Sequence, residues 1–362
     1  MRILHLARAL AAEIELDVVA LGGDPPPSTN ESFTLAHLPG DWSRMKSAVR
    51  AAWEPSPVAQ TRSRAIRHHV GRGGWDVIQA HALSLMRYAT GAAPCVFDAP
   101  DVLTGVKQSL AAVDSRPAMR PWWRFEAVKA RRVESSAARS ASAVTVPTDA
   151  DAATFERLGA RRVVVVLNGV DLQGIEHRLP PPGAHIVLIG YFAWRPNAEA
   201  GLELCREIVP RIRARVASAR VTLVGAMPPP ELLAQAGPAV ELAGGVEATL
   251  PYLRAARVTV MPVRAGGGSR MKVLEALAAG VPVVATSFAV SGIDVRHGVD
   301  ALIGETPQDL AAMAVSVIED DDLANSLSRA GRRLVERRHG WSTVARPLVD
   351  LHRDLGEQGR RG

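Results

Sequence analysis

With 362 residues the chain is longer than one hydrophobic core usually serves, so two domains are expected. Apolar residues make up 47% of it, enough for full cores, yet no apolar run nears the ~20 residues that cross a bilayer. The net charge of +6 suits anionic partners, but no helix-turn-helix, zinc-finger or aromatic RNA-binding signature accompanies it, so nucleic acid is not the expected partner.

The chain opens with Arg2-Ile-Leu-His-Leu-Ala-Arg-Ala-Leu-Ala11, which reads as a helix. A short strand over Arg2–Leu6 is the competing reading, but it leaves about nine residues for a helix before Asp17, fewer than the ~11–12 average. The first residues show no signal-peptide pattern, so a cytoplasmic location is expected, with peripheral contact at the inner membrane face as an option. Strand candidates in the first half are Asp17–Leu21, Phe33–Leu38, Trp75–Gln79, Cys95–Asp98, Ala143–Val146 and Val163–Leu167. Ala-, Leu- and Arg-rich segments of helical period separate them. Within these, Met119-Arg-Pro-Trp-Trp-Arg-Phe125, followed by Lys129, Arg131 and Arg132, mixes cations with aromatics. Such a patch fits an anionic membrane or a lipid-linked acceptor; the alternative is a solvated helix face with aromatic packing beneath it. Thr148-Asp-Ala-Asp151 marks a helix start, with Thr148 as cap and Asp151 returning the bond.

The division into domains falls near Asn168-Gly-Val-Asp171, followed by the loop Leu179-Pro-Pro-Pro-Gly183. The second half offers strands at His185–Gly190, Val221–Gly225, Val240–Leu242, Val258–Met261, Val281–Thr286 and Ala301–Ile303. Strand–helix alternation through both halves implies an α/β protein of two doubly wound, Rossmann-like parallel-sheet domains. Ligands of such sheets sit beyond the carboxyl ends of the strands. Cys95 and Cys205 lie in apolar segments and read as buried reduced thiols, and no metal-ligand cluster is evident.

The most informative stretch is Ala265-Gly-Gly-Gly-Ser-Arg-Met-Lys-Val-Leu-Glu-Ala-Leu-Ala-Ala-Gly280. Strand Val258–Met261 ends at Pro262, and the glycines follow at once. Gly266, Gly267 and Gly268 let backbone N–H groups approach a ligand, and Ser269 can cap the helix that follows. Arg270 and Lys272 then place two cations at a helix amino terminus, where each costs up to ~1 kcal/mol unless an anion is bound. Together these features describe a phosphate site. A flexible loop with a helical Lys272–Glu275 pair is the plainer alternative, but lysine preceding glutamate is the poorer order for such a pair. Glu275, six residues past the cap, is placed to accept hydrogen bonds from hydroxyls beside the phosphate, such as those of a ribose. The P-loop pattern is absent, and no G-x-G-x-x-G follows the first strand of either half.

Several marks occur in order: Thr148-Asp-Ala-Asp151, Asn168-Gly-Val-Asp171, Trp194-Arg-Pro-Asn197, Val224-Gly225, Gly266-Gly-Gly-Ser-Arg-Met-Lys-Val-Leu-Glu-Ala276, Gly280-Val-Pro-Val-Val-Ala-Thr286 and Trp341. On these, nearly the whole chain resembles the GT-B nucleotide-sugar glycosyltransferases of glycosyltransferase family 4. The resemblance implies retaining transfer of a sugar from a nucleotide diphosphate-sugar to an acceptor hydroxyl, without a cofactor or metal. It implies an acceptor-side domain over 1–167, a donor domain over 168–341, and a final segment 342–362 that returns to the first domain, the two domains facing each other across a cleft. Glu275 matches the family glutamate that binds the donor ribose, and Gly244-Gly245-Val246 matches the backbone beside the nucleobase. Trp75-Asp-Val-Ile-Gln-Ala-His81 looks like the family strand leading to a cleft histidine. Phe97-Asp-Ala-Pro-Asp101 ends another strand at the same edge, where Asp98 and Asp101 either orient acceptor hydroxyls or stabilise a turn around Pro100.

The chain departs from the family pattern in three places. A second glutamate, common eight positions before the one matching Glu275, is Gly267 here. The usual Arg and Lys after the first donor-domain strand are represented only by Arg195, so Arg270 and Lys272 are expected to supply the diphosphate's counter-charge and to stabilise it as it leaves. The family's opening strand and glycine-rich loop have no counterpart ahead of Arg2–Ala11, and upstream coding sequence is expected to supply them. Two other functions remain open: a GT-B-like nucleotide-sugar epimerase, and a degenerate, non-catalytic nucleotide-sugar-binding protein. The acceptor is not identified by the sequence.

Overall fold

The computed structural model describes residues 2–21, 34–38, 63–89, 91, 93–114, 116–267 and 270–361. The chain forms two compact units, Met1–Asn168 with Gly267–Ser269 and Trp341–Gly362, and Gly169–Gly266 with Arg270–Gly340.

The first unit begins with α1 (Arg2–Ala11), followed by β1 (Asp17–Leu21) and β2 (Thr34–Leu38), which pair in parallel. After α2 (Arg64–Gly71) come β3 (Ile78–His81) and β4 (Cys95–Asp98). Helices α3 (Leu103–Val113) and α4 (Arg120–Ser140) follow, then β5 (Ala143–Val146), α5 (Asp149–Arg157) and β6 (Val163–Val165). Strands β3 to β6 form a four-stranded parallel sheet in sequence order. Every residue of β4 and β5 is buried, as expected for strands covered on both faces. Alternation along these strands sends Phe97, Val144 and Val146 into one core with Ala137, Ala138 and Phe155, where the two phenyl rings meet edge to face at 5.6 Å. The intervening Val96 and Ala143 enter a second core, completed by Leu6 and Leu10 of α1 and by Leu348, Leu351 and Leu355 of the last helix, Trp341–Arg361. His5 stacks on Trp341 at 4.8 Å, joining the two termini within this unit.

The second unit contains β7 (His185–Ile189), α6 (Arg195–Glu203), which runs through a π-helical turn into α7 (Val209–Arg215), and β8 (Arg220–Val224). Next are α8 (Pro230–Leu233), β9 (Val240–Gly244), α9 (Leu250–Ala255), β10 (Val258–Met261) and α10 (Met271–Ala279). The unit closes with β11 (Val283–Ala285), α11 (Ser287–Val290), β12 (Leu302–Ile303), α12 (Pro307–Glu319) and α13 (Asp321–Arg338); α14 is the Trp341–Arg361 helix of the first unit. Its sheet is wholly parallel in the order β12-β11-β10-β7-β8-β9. The chain proceeds outward from β7 to β9, then returns to the other side of β7 and proceeds outward again. The switch point therefore lies between β7 and β10, where the loops leaving the two strands diverge and open a crevice.

Close packing at this edge has a sequence cause. The Gly190 N–H donates to Val224 O at 2.9 Å, and a Cβ on Gly225 would fall 1.5 Å from Gly190 O, so only glycine fits at 225. Cys95 and Cys205 are both buried and free, and burial pushes each thiol up to about 12, which leaves them unreactive.

Candidate functional site

The switch point of the second unit gathers the first turns of two helices. α6 follows β7 and α10 follows β10, so residues near their amino termini meet above the crevice. Lys272 Nζ donates to Asn197 Oδ1 at 2.7 Å, and Asn197 Nδ2 donates to Tyr191 O at 2.9 Å. The buried Asn197 thus ties the loop after β7 to the lysine. Lys272 keeps some surface, but desolvation of its ammonium, with the nearby Arg270 charge, pulls its pKa down to about 8 against the opposing pull of Glu275. Burial raises the Glu275 carboxyl, with Lys272 opposing. The described partner of Lys272 is therefore a neutral amide, and the helical Lys272–Glu275 pair does not form. Arg270 occupies the position before the first residue of α10. Its guanidinium lies over the Phe288 ring at 4.6 Å, and Nη2 donates to Ser291 Oγ at 2.9 Å. Gly266 has φ +112, and a Cβ there would come within 3.2 Å of Trp194 Nε1, so the glycine loop lies against the loop after β7. Gly267 is partly buried; Gly268 and Ser269 lie outside the described residues.

One sequence expectation is altered here. Arg195 was assigned to the diphosphate, but its guanidinium is paired with Glu199 one helical turn on and with Glu231 at 2.8 Å. It is an internal tie between α6 and α8, since two carboxylates already neutralise it. Gly245 and Val246 follow β9, two strands away from β7; Gly225 N–H donates to Gly244 O at 2.7 Å, and Val246 packs on the core. The sequence assigned no role to Asn197. The available signal was its place in the first turn after β7, one strand across the switch point from the first turn carrying Lys272.

In the first unit, His81, Asp98 and Asp101 lie at the carboxyl edge of β3 and β4. Asp98, expected to face an acceptor or to brace a turn, does neither. It is 1% exposed, and its carboxylate takes the Thr145 hydroxyl at 2.7 Å, the Arg2 guanidinium at 3.4 Å and His81 Nδ1. Asp101 is half-buried just ahead of α3. Glu134 of α4 accepts from the Leu103 and Thr104 amides at 2.5 and 3.1 Å, satisfying the start of α3.

The aromatic–basic stretch lies on α4. Trp122, Phe125 and Val128 are exposed beside Arg120, Arg124, Arg131 and Arg132. Lys129 is buried, paired with Glu126, and its ammonium lies 5.4 Å from the Trp122 ring centre and 4.9 Å from that of Phe125. Trp123 turns inward and donates to Asp114 at 2.8 Å. No described helix is long and apolar enough to cross a membrane, and among the described residues no three His, Cys, Asp or Glu side chains gather as a metal site.

Family models match the two halves in turn: Glycosyltransferase Family 4 over residues 1–173 and Glycosyl transferases group 1 over 183–320. The phosphatidyl-myo-inositol mannosyltransferase of Mycobacterium tuberculosis is 25% identical over 323 residues, covering 82% of this chain and 79% of the relative. The GDP-mannose-dependent alpha-(1-6)-phosphatidylinositol monomannoside mannosyltransferase of the same organism is 34% identical over 161 residues, 40% of this chain and 42% of that one. Among solved structures, the sucrose-phosphate synthase of Thermosynechococcus elongatus superposes with a TM-score of 0.74 at 20% identity, covering 98% of this chain and 92% of the other. HepE of Anabaena, solved with UDP-glucose, gives a TM-score of 0.60 at 16% identity over 89% and 86% of the two chains. The order of family marks, the parallel sheets and these likenesses agree: the chain belongs to glycosyltransferase family 4 and is a glycosyltransferase of the GT-B fold.

Proposed function

We propose that the enzyme transfers a sugar with retention from a nucleotide diphosphate-sugar, its diphosphate held at the β7–β10 switch point by Lys272, Arg270 and the amides of the glycine loop. The observation that carries this reading is Lys272 itself. A lysine with a depressed pKa, held against a neutral amide at the mouth of a parallel sheet, is a cation without a neutralising carboxylate. A diphosphate supplies the missing charge, and Glu275, one turn further along α10, accepts hydrogen bonds from the ribose hydroxyls.

In the reaction the bond from the sugar's anomeric carbon to the diphosphate oxygen breaks, and a new bond to the acceptor oxygen forms on the same face. The acceptor's proton ends on the departing diphosphate, so no side chain acts as base. Lys272 and Arg270 stabilise the charge that grows on the leaving oxygen, worth ~10²–10³ in rate for one well-placed donor. They provide the counter-charge otherwise supplied by a divalent ion, so turnover is expected to survive chelation. GDP-mannose is the first donor to test, and phosphatidylinositol the first acceptor, because the mannosyltransferase relatives carry those names. Transfer with an α-linked product by NMR supports the proposal, whereas a β-linked product refutes retention.

A further inference from the structure

Several cations of the second unit are answered by carboxylates. The buried Arg257 pairs with Asp321 at 2.6 Å, Arg264 with Glu203 at 2.7 Å and Arg195 with Glu231 at 2.8 Å. Lys272 is treated differently: among the described residues its hydrogen-bond partner is the Asn197 amide at 2.7 Å. The charges that act on it, Arg270 and Glu275, belong to its own stretch of chain, and across from it α6 presents Asn197.

Asn197 is held in one orientation. It lies in the first turn of α6, is 8% exposed, and donates its backbone N–H to Trp194 O at 3.0 Å. A Cβ on Gly190 would come within 3.3 Å of its own Cβ, so it packs directly on the loop after β7. The amide then lies between two groups of opposite kind. The Lys272 ammonium only donates and the Tyr191 carbonyl only accepts, so Oδ1 faces the first and Nδ2 the second. An amide meets both demands. A carboxylate of the same shape has no N–H for Tyr191, and a leucine has neither group.

We propose that Asn197 is a positioning residue for the diphosphate: its amide fixes the Lys272 ammonium at the switch point and leaves the charge to be neutralised by the nucleotide-sugar. Its neutrality matters as much as its reach. A carboxylate at 197 would neutralise the lysine in advance, as Glu231 does for Arg195, and would repel the incoming diphosphate. Desolvation and the Arg270 charge lower the lysine's pKa to about 8, and Asn197 adds no charge to raise it. This assignment rests on the diphosphate site proposed above and adds the residue that keeps its charge available.

Two variants of similar shape separate charge from placement. In protein labelled with 13C-lysine, the side-chain signal that disappears in Lys272→Met should titrate near pH 8 in the native protein. Asn197→Asp should raise that midpoint by ~1–3 pH units, and Asn197→Leu should lower it. In calorimetry at neutral pH with GDP-mannose and UDP-glucose, both variants should bind the favoured nucleotide about tenfold more weakly or worse. Opposite shifts of the lysine with losses of the same sign are not what a residue serving only the fold would give. A midpoint that does not rise in Asn197→Asp or does not fall in Asn197→Leu, or native affinity in either, overturns the assignment; should Asn197→Leu not fold, Asn197→Asp decides alone. No binding by the native protein, or equal affinity in Lys272→Met, removes the diphosphate reading and this assignment with it. Loss of binding in Lys272→Met beside native affinity in Asn197→Asp overturns this assignment alone.

Discussion

Lys272, the proposed diphosphate ligand, works against the stability of its own unit. Its folded pKa of about 8 lies below the 10.5 of the free side chain, so the folded state binds fewer protons between those values. Stability from this group is therefore lowest below pH ~8 and rises as pH climbs toward ~10.5, and the cost of keeping the ammonium charged near neutrality is on the order of 3 kcal/mol. Replacing it with an apolar chain of similar length should relieve that cost while removing the diphosphate contact. Lys272→Met is expected to stabilise the ligand-free protein by ~1–3 kcal/mol in urea denaturation at neutral pH and to abolish nucleotide-sugar binding. A destabilised variant would mean that the lysine is a structural tie. Arg195 differs: with two carboxylates already on it, its charge is spent inside the unit.

Among the elements, strands buried on both faces were the most legible in the sequence. Cys95–Asp98, Ala143–Val146 and Val258–Met261 are largely apolar runs, each broken by one polar residue, and the strands keep those bounds. The run starting at Trp75 was misplaced by three residues because the Trp75 indole donates to Val70 O at 3.0 Å, serving the end of α2 rather than the ladder. The glycines and the Lys272 cation stood out because they fall within one short stretch of sequence, whereas their partners, Asn197 for Lys272 and Trp194 for Gly266, lie more than 70 residues away and did not. The role of Asp98 was not legible, because its direction is set by Arg2, 96 residues away; nor was the pairing of Arg195 with Glu231, 36 residues on. Helix α14 carries a test at this scale. Leu348 is fully buried against α1 and the sheet of the first unit. Leu348→Ala should cost ~2–5 kcal/mol of stability, and a loss below ~1 kcal/mol would show that the terminal helix is not part of that core.

For the whole molecule, the +6 charge gains a location in the α4 face, where Trp122, Phe125 and Val128 stand among four exposed arginines. This face is proposed to meet an anionic membrane surface, with aromatic side chains for the interface and guanidinium groups for the head groups. The protein should sediment with phosphatidylglycerol vesicles and not with phosphatidylcholine vesicles, and Trp122→Ser with Phe125→Ser should weaken that binding about tenfold or more. Equal binding to both vesicle types, or no effect of the double substitution, would assign the face to solvent.

The central claim is that a cation at the β7–β10 switch point grips a diphosphate, and calorimetric titration of GDP-mannose and UDP-glucose from about pH 6 to pH 10 tests it most directly. Because Lys272 loses its charge above about pH 8, affinity for the favoured nucleotide should hold at neutral pH and fall by up to about tenfold per unit beyond that point. Lys272→Met should bind neither nucleotide. Affinity that is flat across this range and unchanged in Lys272→Met would contradict the claim.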